Sequence, residues 1–156
     1  MGNSIVFDEL KIEDISQYSN MINNVFDEFV GKDYSIQGNC TFKEFIEPQN
    51  ILERFNNGVN QFYIAKYDNE IIGVLEIKNK DHISLFFVKK EFQGQGIGKK
   101  LFEIHVNSIK NNEEIKIITV NSSIYAEKIY SKLRFVKTNE IQEKCGIKYI
   151  PMEYKK

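Results

Sequence analysis

The feature that most constrains this chain is a glycine-rich turn set between an apolar run and a helical one. Residues Gln93 to Gly98 read QGQGIG. They follow HISLFFV at 82–88 and lead into a stretch, about 96–110, with Ile97, Leu101, Phe102 and Val106 at helical spacing. A strand that delivers glycine-rich backbone onto a helix N-terminus points several N–H groups without helical partners in one direction. The helix dipole adds roughly half a positive charge there. That makes an anion site, and phosphate is its usual occupant. Gly94, Gly96 and Gly98 lack Cβ atoms, so a phosphate can approach the main chain, and Lys99 and Lys100 add charge in the first turn. The spacing is GxGxG late in the chain, which departs from the dinucleotide GxGxxG after a first βα turn. A Walker loop needs Gly at 93 and Ser or Thr at 100, where Gln and Lys stand. Taken alone, the turn fits a tight structural connection as well as a phosphate site.

The flanking sequence sets the fold class. A short strand at 4–8 precedes a helix from Ile12 to about Val30, where Ile15, Tyr18, Ile22, Phe26 and Phe29 recur at helical spacing. The segment GKDYSIQGN reads as a turn, and a second helical stretch from about Thr41 to Phe55 is interrupted by Pro48 and ended by Gly58. The period then changes. Strands at 61–67, 71–77 and 82–88, joined by Asp68-Asn69-Glu70 and Asn79-Lys80-Asp81, form an antiparallel meander. Ile115 to Val120 is a buried β-branched strand, reached through a helix and therefore parallel to 82–88 by a right-handed crossover. Ser122 and Ser123 cap a helix that ends near Leu133, and strands near 135–140 and 147–154 finish the chain. The result is an α/β protein: a mixed sheet of about seven strands and about four helices in one domain over residues 1–156.

Charge and composition narrow the partners. The 156 residues carry a formal net charge of −1, without the basic excess by which nucleic-acid binders displace counterions, so no nucleic acid is expected. Cys40 and Cys145 are far apart, with no CxxC or His pair beside them, and read as thiols in a reducing compartment, with no metal implied. The start MGNSIVFDELKIED contains acids and no long apolar run, unlike a signal peptide. Met1-Gly2 without Ser or Thr at position 6 lacks the myristoylation pattern. The expectation is a cytoplasmic protein with no membrane partner, for which a homodimer stays open.

Two segments together point further. Val88 to Gly98 (VKKEFQGQGIG) resembles the CoA-binding motif of the GNAT superfamily of acyl-CoA N-acyltransferases, Gln/Arg-x-x-Gly-x-Gly/Ala. The run Asn121 to Phe135 (NSSIYAEKIYSKLRF) resembles that family's next segment, with Asn, Ala, Tyr and a terminal Phe, and the order of elements is similar over nearly the whole chain. HISLFFV, TVNSS and GIKYIPM are similar to a bacterial subgroup. The resemblance implies a mostly antiparallel sheet with one parallel, splayed strand pair. It also implies a transferase: an N-acetyltransferase that passes the acetyl group of acetyl-CoA to a primary amine of a small molecule or peptide. Transfer in the family runs by direct attack through a tetrahedral intermediate. A non-catalytic acyl-CoA sensor on the same fold is the alternative.

By motif position, Phe86, Phe87 and Val88 form the edge along the pantetheine arm, and the Val88 N–H would hold the thioester carbonyl. Gln93, Gly94, Gln95, Gly96, Ile97, Gly98 and Lys99 would hold the pyrophosphate, with Asn121, Ser123 and Tyr125 on the arm. Core packing accounts for Phe86–Val88 as well, and capping for Ser123. Tyr130 matches the family tyrosine that protonates the leaving thiolate, although its spacing with Ala126, Ile129 and Leu133 also suits packing on the sheet. An alkylammonium of pKa ~10.4 costs about 4.6 kcal/mol to deprotonate at pH 7, so a base matters for such an acceptor. His82, six residues before Val88, is the candidate, and strand alternation would put His82, Ser84 and Phe86 on one face. It serves equally as a structural residue beside Asp81. Glu76 is the alternative base, and His105 in mid-helix reads as structural. The acceptor pocket is expected from the 26–46 region and the C-terminal strands, with Phe29, Tyr34 and Ser84 as contacts and Phe26 and Phe45 available, although filling the core accounts for these aromatics more simply. Arg134 stands where the family has Gly; if that position is left-handed, Arg costs about 1–2 kcal/mol.

Overall fold

The computed structural model describes residues 4–156. The Met1-Gly2 pattern falls outside them. Thirteen elements follow in order: β1 (Val6–Glu9), α1 (Ile15–Phe29), α2 (Ile36–Phe45), α3 (Pro48–Asn57), β2 (Asn60–Tyr67), β3 (Glu70–Lys78), β4 (His82–Val88), α4 (Ile97–Ile109), β5 (Ile117–Ser122), α5 (Glu127–Lys132), β6 (Val136–Lys137), β7 (Gln142–Lys144) and β8 (Ile147–Lys155). The strands pair in the order β1-β2-β3-β4-β5-β8-β6, with β7 on β8. All pairings are antiparallel except β4 with β5, as the crossover through α4 requires.

Each face of the sheet buries one helical layer. The stripe Ile15, Tyr18, Ile22, Val25 of α1 packs with Ile51 of α3 over Phe62, Ile64, Val74 and Leu85. The opposite face packs Ile97, Leu101 and Phe102 of α4 over Ala65, Ile72, Leu75 and Ile118. Full burial of each such large side chain contributes roughly 1.5–3 kcal/mol. A Cβ added to Gly73 would lie 3.0 Å from Ile97 Cγ2, so the absent side chain lets the first turn of α4 press onto β3.

The observed elements differ from the sequence reading in two places. GKDYSIQGN is not only a turn: Ser35 accepts from the Gly38 N–H at 3.0 Å and caps α2, which starts at Ile36. Pro48 splits the second helical stretch, as the sequence suggests, and opens α3 at a position where its missing N–H costs nothing. The expected strand at 135–140 reduces to two residues of β6, and β7 pairs with β8 through Cys145 and Gly146, whose φ angles are +53° and +77°. Two positive φ angles in succession match the right-handed strand twist of a tight hairpin.

Candidate functional site

The parallel ladder between β4 and β5 holds only two pairs, His82 with Thr119 and Ile83 with Val120. Beyond Ile83, β4 stays paired to β3 as far as Val88 but no longer to β5. A bulge marks the parting: one extra β4 residue, Ser84, stands against the step from Glu76 to Ile77. A cavity of about 610 Å³ fills the gap. Lys89 donates its N–H to Ile72 O on β3 at 2.8 Å, so alternation turns the N–H and C=O of Val88 toward the cavity. The Val88 carbonyl indeed accepts from Gln93 Nε2 at 2.9 Å on that side.

At one end the cavity meets the glycine-rich turn. Gly94 and Gly96 have φ angles of +78° and +81°, and a Cβ at either would face open space. Gly96 is the N-cap of α4 and no side chain caps the helix, so the N–H groups of its first turn are available to a ligand. Gly94, Gly96, Ile97, Gly98 and Lys99 all line the cavity. Uncapped N–H groups, a lysine and Cβ-free backbone facing open space fit a pyrophosphate.

Tyr130 lies on the far wall, 5% exposed, its ring 5.9 Å from Phe86 and 5.3 Å from Phe135. Burial, with a contribution from Tyr34, pushes its phenol well above the usual value of 10, so it stays protonated and can donate. Its helix ends as the sequence suggested: Arg134 has φ +75°, and Phe135 donates to Tyr130 O at 3.0 Å. The left-handed stop is kept despite the missing glycine.

Of the other residues singled out in the sequence, Ser84, Phe86, Phe87, Val88, Gln93, Asn121, Ser123, Tyr125 and Tyr34 line the cavity. Gln95 does not; its amide turns back to Glu91 O at 3.3 Å. Phe29 stands behind the wall, stacked on Tyr125 at 4.8 Å and 23°, and Tyr125 donates to Gln93 Oε1 at 3.1 Å. This chain ties the end of α1 to the glycine turn.

His82 is not in the lining. Its Nδ1 lies 2.7 Å from Thr119 Oγ1, at the closed end of the β4–β5 fork. The bulge at Ser84 breaks the alternation that would have aligned it with Phe86: Ile83 and Phe86, three residues apart, both pack toward α4. Burial lowers its pKa from 6.5, opposed by Asp81. Glu76 is fully buried in the other layer, its oxygens taken by Tyr18 (2.9 Å), Arg54 (2.7 and 3.3 Å) and Asn60 (2.7 Å). His105 is structural, as expected. Lys80 O can only accept, so Nε2–H donates to it at 2.8 Å and Nδ1 accepts from the Tyr63 hydroxyl at 2.9 Å.

Where an acceptor pocket is expected, α1, its exit and α2 wall the cavity. Val25, Val30 and Phe42 line it, none of which the sequence reading named, and Phe26 and Phe45 do not. Phe26 is core and backs Phe42 in a parallel stack at 4.0 Å, while Phe45 lies under the Arg54 guanidinium at 3.8 Å. The C-terminal strands contribute no lining residue. They act behind it: the β7–β8 turn carbonyl of Gly146 accepts from Ser35 N at 3.1 Å and holds the start of α2. Phe42 stands on α2, which begins at Ile36 under the Ser35 cap and not near Thr41.

The profile of the acetyltransferase (GNAT) domain matches residues 30–156. The chain belongs to the GNAT acetyltransferase family. Acyl-CoA is the co-substrate class that goes with the family. Solved structures agree on the fold. A GCN5-related N-acetyltransferase from Rhodopseudomonas palustris superposes with a TM-score of 0.80 at 18% identity, over 99% of this chain and 98% of that one. The PaiA N-acetyltransferase from Thermoplasma acidophilum, in complex with coenzyme A, gives 0.76 at 21%, over 98% and 99%. A predicted acetyltransferase from Clostridium acetobutylicum, solved with acetyl-CoA, gives 0.69 at 20%, over 90% and 96%. No curated protein matches the sequence significantly. Among the described residues, no helix is long and apolar enough to cross a membrane, and no cluster of three or more potential metal ligands occurs.

Proposed function

We propose that the chain transfers the acetyl group of acetyl-CoA to a primary amine. The observation that carries this reading is the fork itself. β4 leaves β5 after Ile83, and its exposed edge runs from Ser84 to the glycine turn, opposite Tyr130. Acetyl-CoA supplies an activated thioester. Gln93 to Lys99 hold its pyrophosphate by main-chain N–H groups and the helix dipole. The edge of β4 with Asn121, Ser123 and Tyr125 holds the pantetheine arm. The Val88 N–H is aimed at the thioester carbonyl, where charge develops on oxygen. Tyr130, held protonated by burial, donates to the departing sulfur.

Purified protein incubated with acetyl-CoA and an amine panel should release free thiol, read with a thiol-reactive dye. Calorimetric CoA binding without thiol release across a broad panel would leave only a CoA-binding module.

A further inference from the structure

The groups that line the acceptor end bear on which amine can react. The charged lining side chains, among the described residues, are Lys99 and Lys132, both cations. The ionisable remainder is Tyr34, Tyr125 and Tyr130, and no carboxylate or imidazole joins them. Tyr34, like Tyr130, is pushed upward by burial, with Asp33 adding to it, so it stays a neutral phenol. His82 is spent on Thr119 outside the lining, and Glu76 is enclosed by four donors in the opposite layer. The wall is apolar: Val25, Val30, Phe42 and Phe87, with Phe42 set edge-on to Phe87 at 6.0 Å.

Building on the transfer reading above, we propose that the acceptor is a weakly basic amine on an apolar, aromatic-sized body, and not an alkylammonium or polyamine. An alkylammonium entering this cavity meets no carboxylate on its wall and no side chain that takes its proton. At pH 7 about one in 2,500 molecules of an amine of pKa ~10.4 is neutral, against about one in six for an α-amino group of pKa ~7.7. That is a ratio of about 400 in reactive species before any enzyme contact. An arylamine is neutral outright. The neutral nitrogen forms its bond to the acetyl carbon as the carbon–sulfur bond breaks. One amine proton is lost and one proton ends on sulfur, through the Tyr130 hydroxyl, leaving amide and thiol. The apolar wall holds the body of such an acceptor by area burial, and the neutral nitrogen loses no ion hydration on entering.

The test uses the wild-type protein, saturating acetyl-CoA and a matched panel. Phenylalanine amide and 2-phenylethylamine share a ring and differ in amine basicity; 4-methylaniline represents arylamines, and spermidine a polycation. By neutral fraction, the expected kcat/KM at pH 7 exceeds that of 2-phenylethylamine by about 400-fold for phenylalanine amide and by about 2,500-fold for 4-methylaniline, and spermidine is slower still. The two leading arms separate an α-amino source from an arylamine source. The midpoint of kcat/KM against pH should follow each acceptor's own pKa. Spermidine or 2-phenylethylamine turning over as well as the weak bases, or one midpoint shared by all acceptors, would overturn this inference and leave the transfer reading standing. Thiol release with none of the amines would overturn both.

Discussion

The two ends of the cavity are made of different material. In the proposed site the donor end is largely main chain, the edge of β4, the glycine turn and the first N–H groups of α4, with Lys99, Asn121, Ser123 and Tyr125 adding side chains. The acceptor end is side chain: Val25 and Val30 from α1 and its exit, Phe42 from α2, Phe87 from β4. Backbone geometry changes little when surface residues are exchanged, whereas a wall of side chains is redefined by each substitution. The two ends can therefore be perturbed separately.

That contrast makes separable predictions. The largest effect is expected at the junction of the two ends: Tyr130→Phe should lower kcat about 100-fold with CoA affinity kept. A change in CoA affinity instead of kcat would move Tyr130 from proton donor to wall. Next, Gly96→Val forces a β-branched residue to φ +81° at the mouth of the anion site and should weaken CoA binding about 10-fold or more, read by calorimetry, with the acceptor preference unchanged. Phe42→Ala is the converse. It should raise KM for the apolar acceptor about 10-fold, roughly 1.4 kcal/mol, while CoA binding stays put. An equal loss in both would dissolve the division.

Smaller effects concern the scaffold behind the donor end. His105 pins α4 to β2 and to the 79–81 turn, and burial lowers its folded pKa below 6.5. The unfolded chain then takes the proton first as pH falls. The contribution of His105 is full above about 6.5 and declines as pH drops from there toward the folded value. A Tm series from pH 7.5 to 5 should show this slope, and His105→Gln should flatten it. The smallest effect is Arg134→Gly. Relief of the left-handed strain, partly offset by glycine's freedom in the unfolded chain, should add about 0.5 kcal/mol in denaturant unfolding.

The same division explains what could be read from the residues. The meander, the crossover and the glycine turn follow from period and turn chemistry, which are encoded within a few neighbouring residues, and the place of Tyr130 on the cavity wall agrees with the family resemblance. Three things escaped. The bulge at Ser84 inserts one residue into a strand of uniform apolar character, so nothing in HISLFFV marks where alternation breaks, and His82 was placed with Phe86. The start of α2 was hidden because Ser35-Ile36-Gln37-Gly38 looks like a turn until its glycine is seen to sit against another backbone. A Cβ on Gly38 would lie 2.3 Å from Gly146 O, a contact 108 residues away along the chain that no local pattern reports. Glu76 was read as a reachable base because sequence shows a carboxylate but not the three residues from α1, α3 and β2 that occupy it.

The contact between Gly146 and the start of α2 sets how this protein can change. The start of α2, which carries Phe42, is held by the β7–β8 turn at Cys145-Gly146, a turn that contributes no residue to the cavity lining. An exchange in that turn is expected to shift the start of α2, and Phe42 with it, without a mutation in the cavity. The shape of that wall can be altered from outside it.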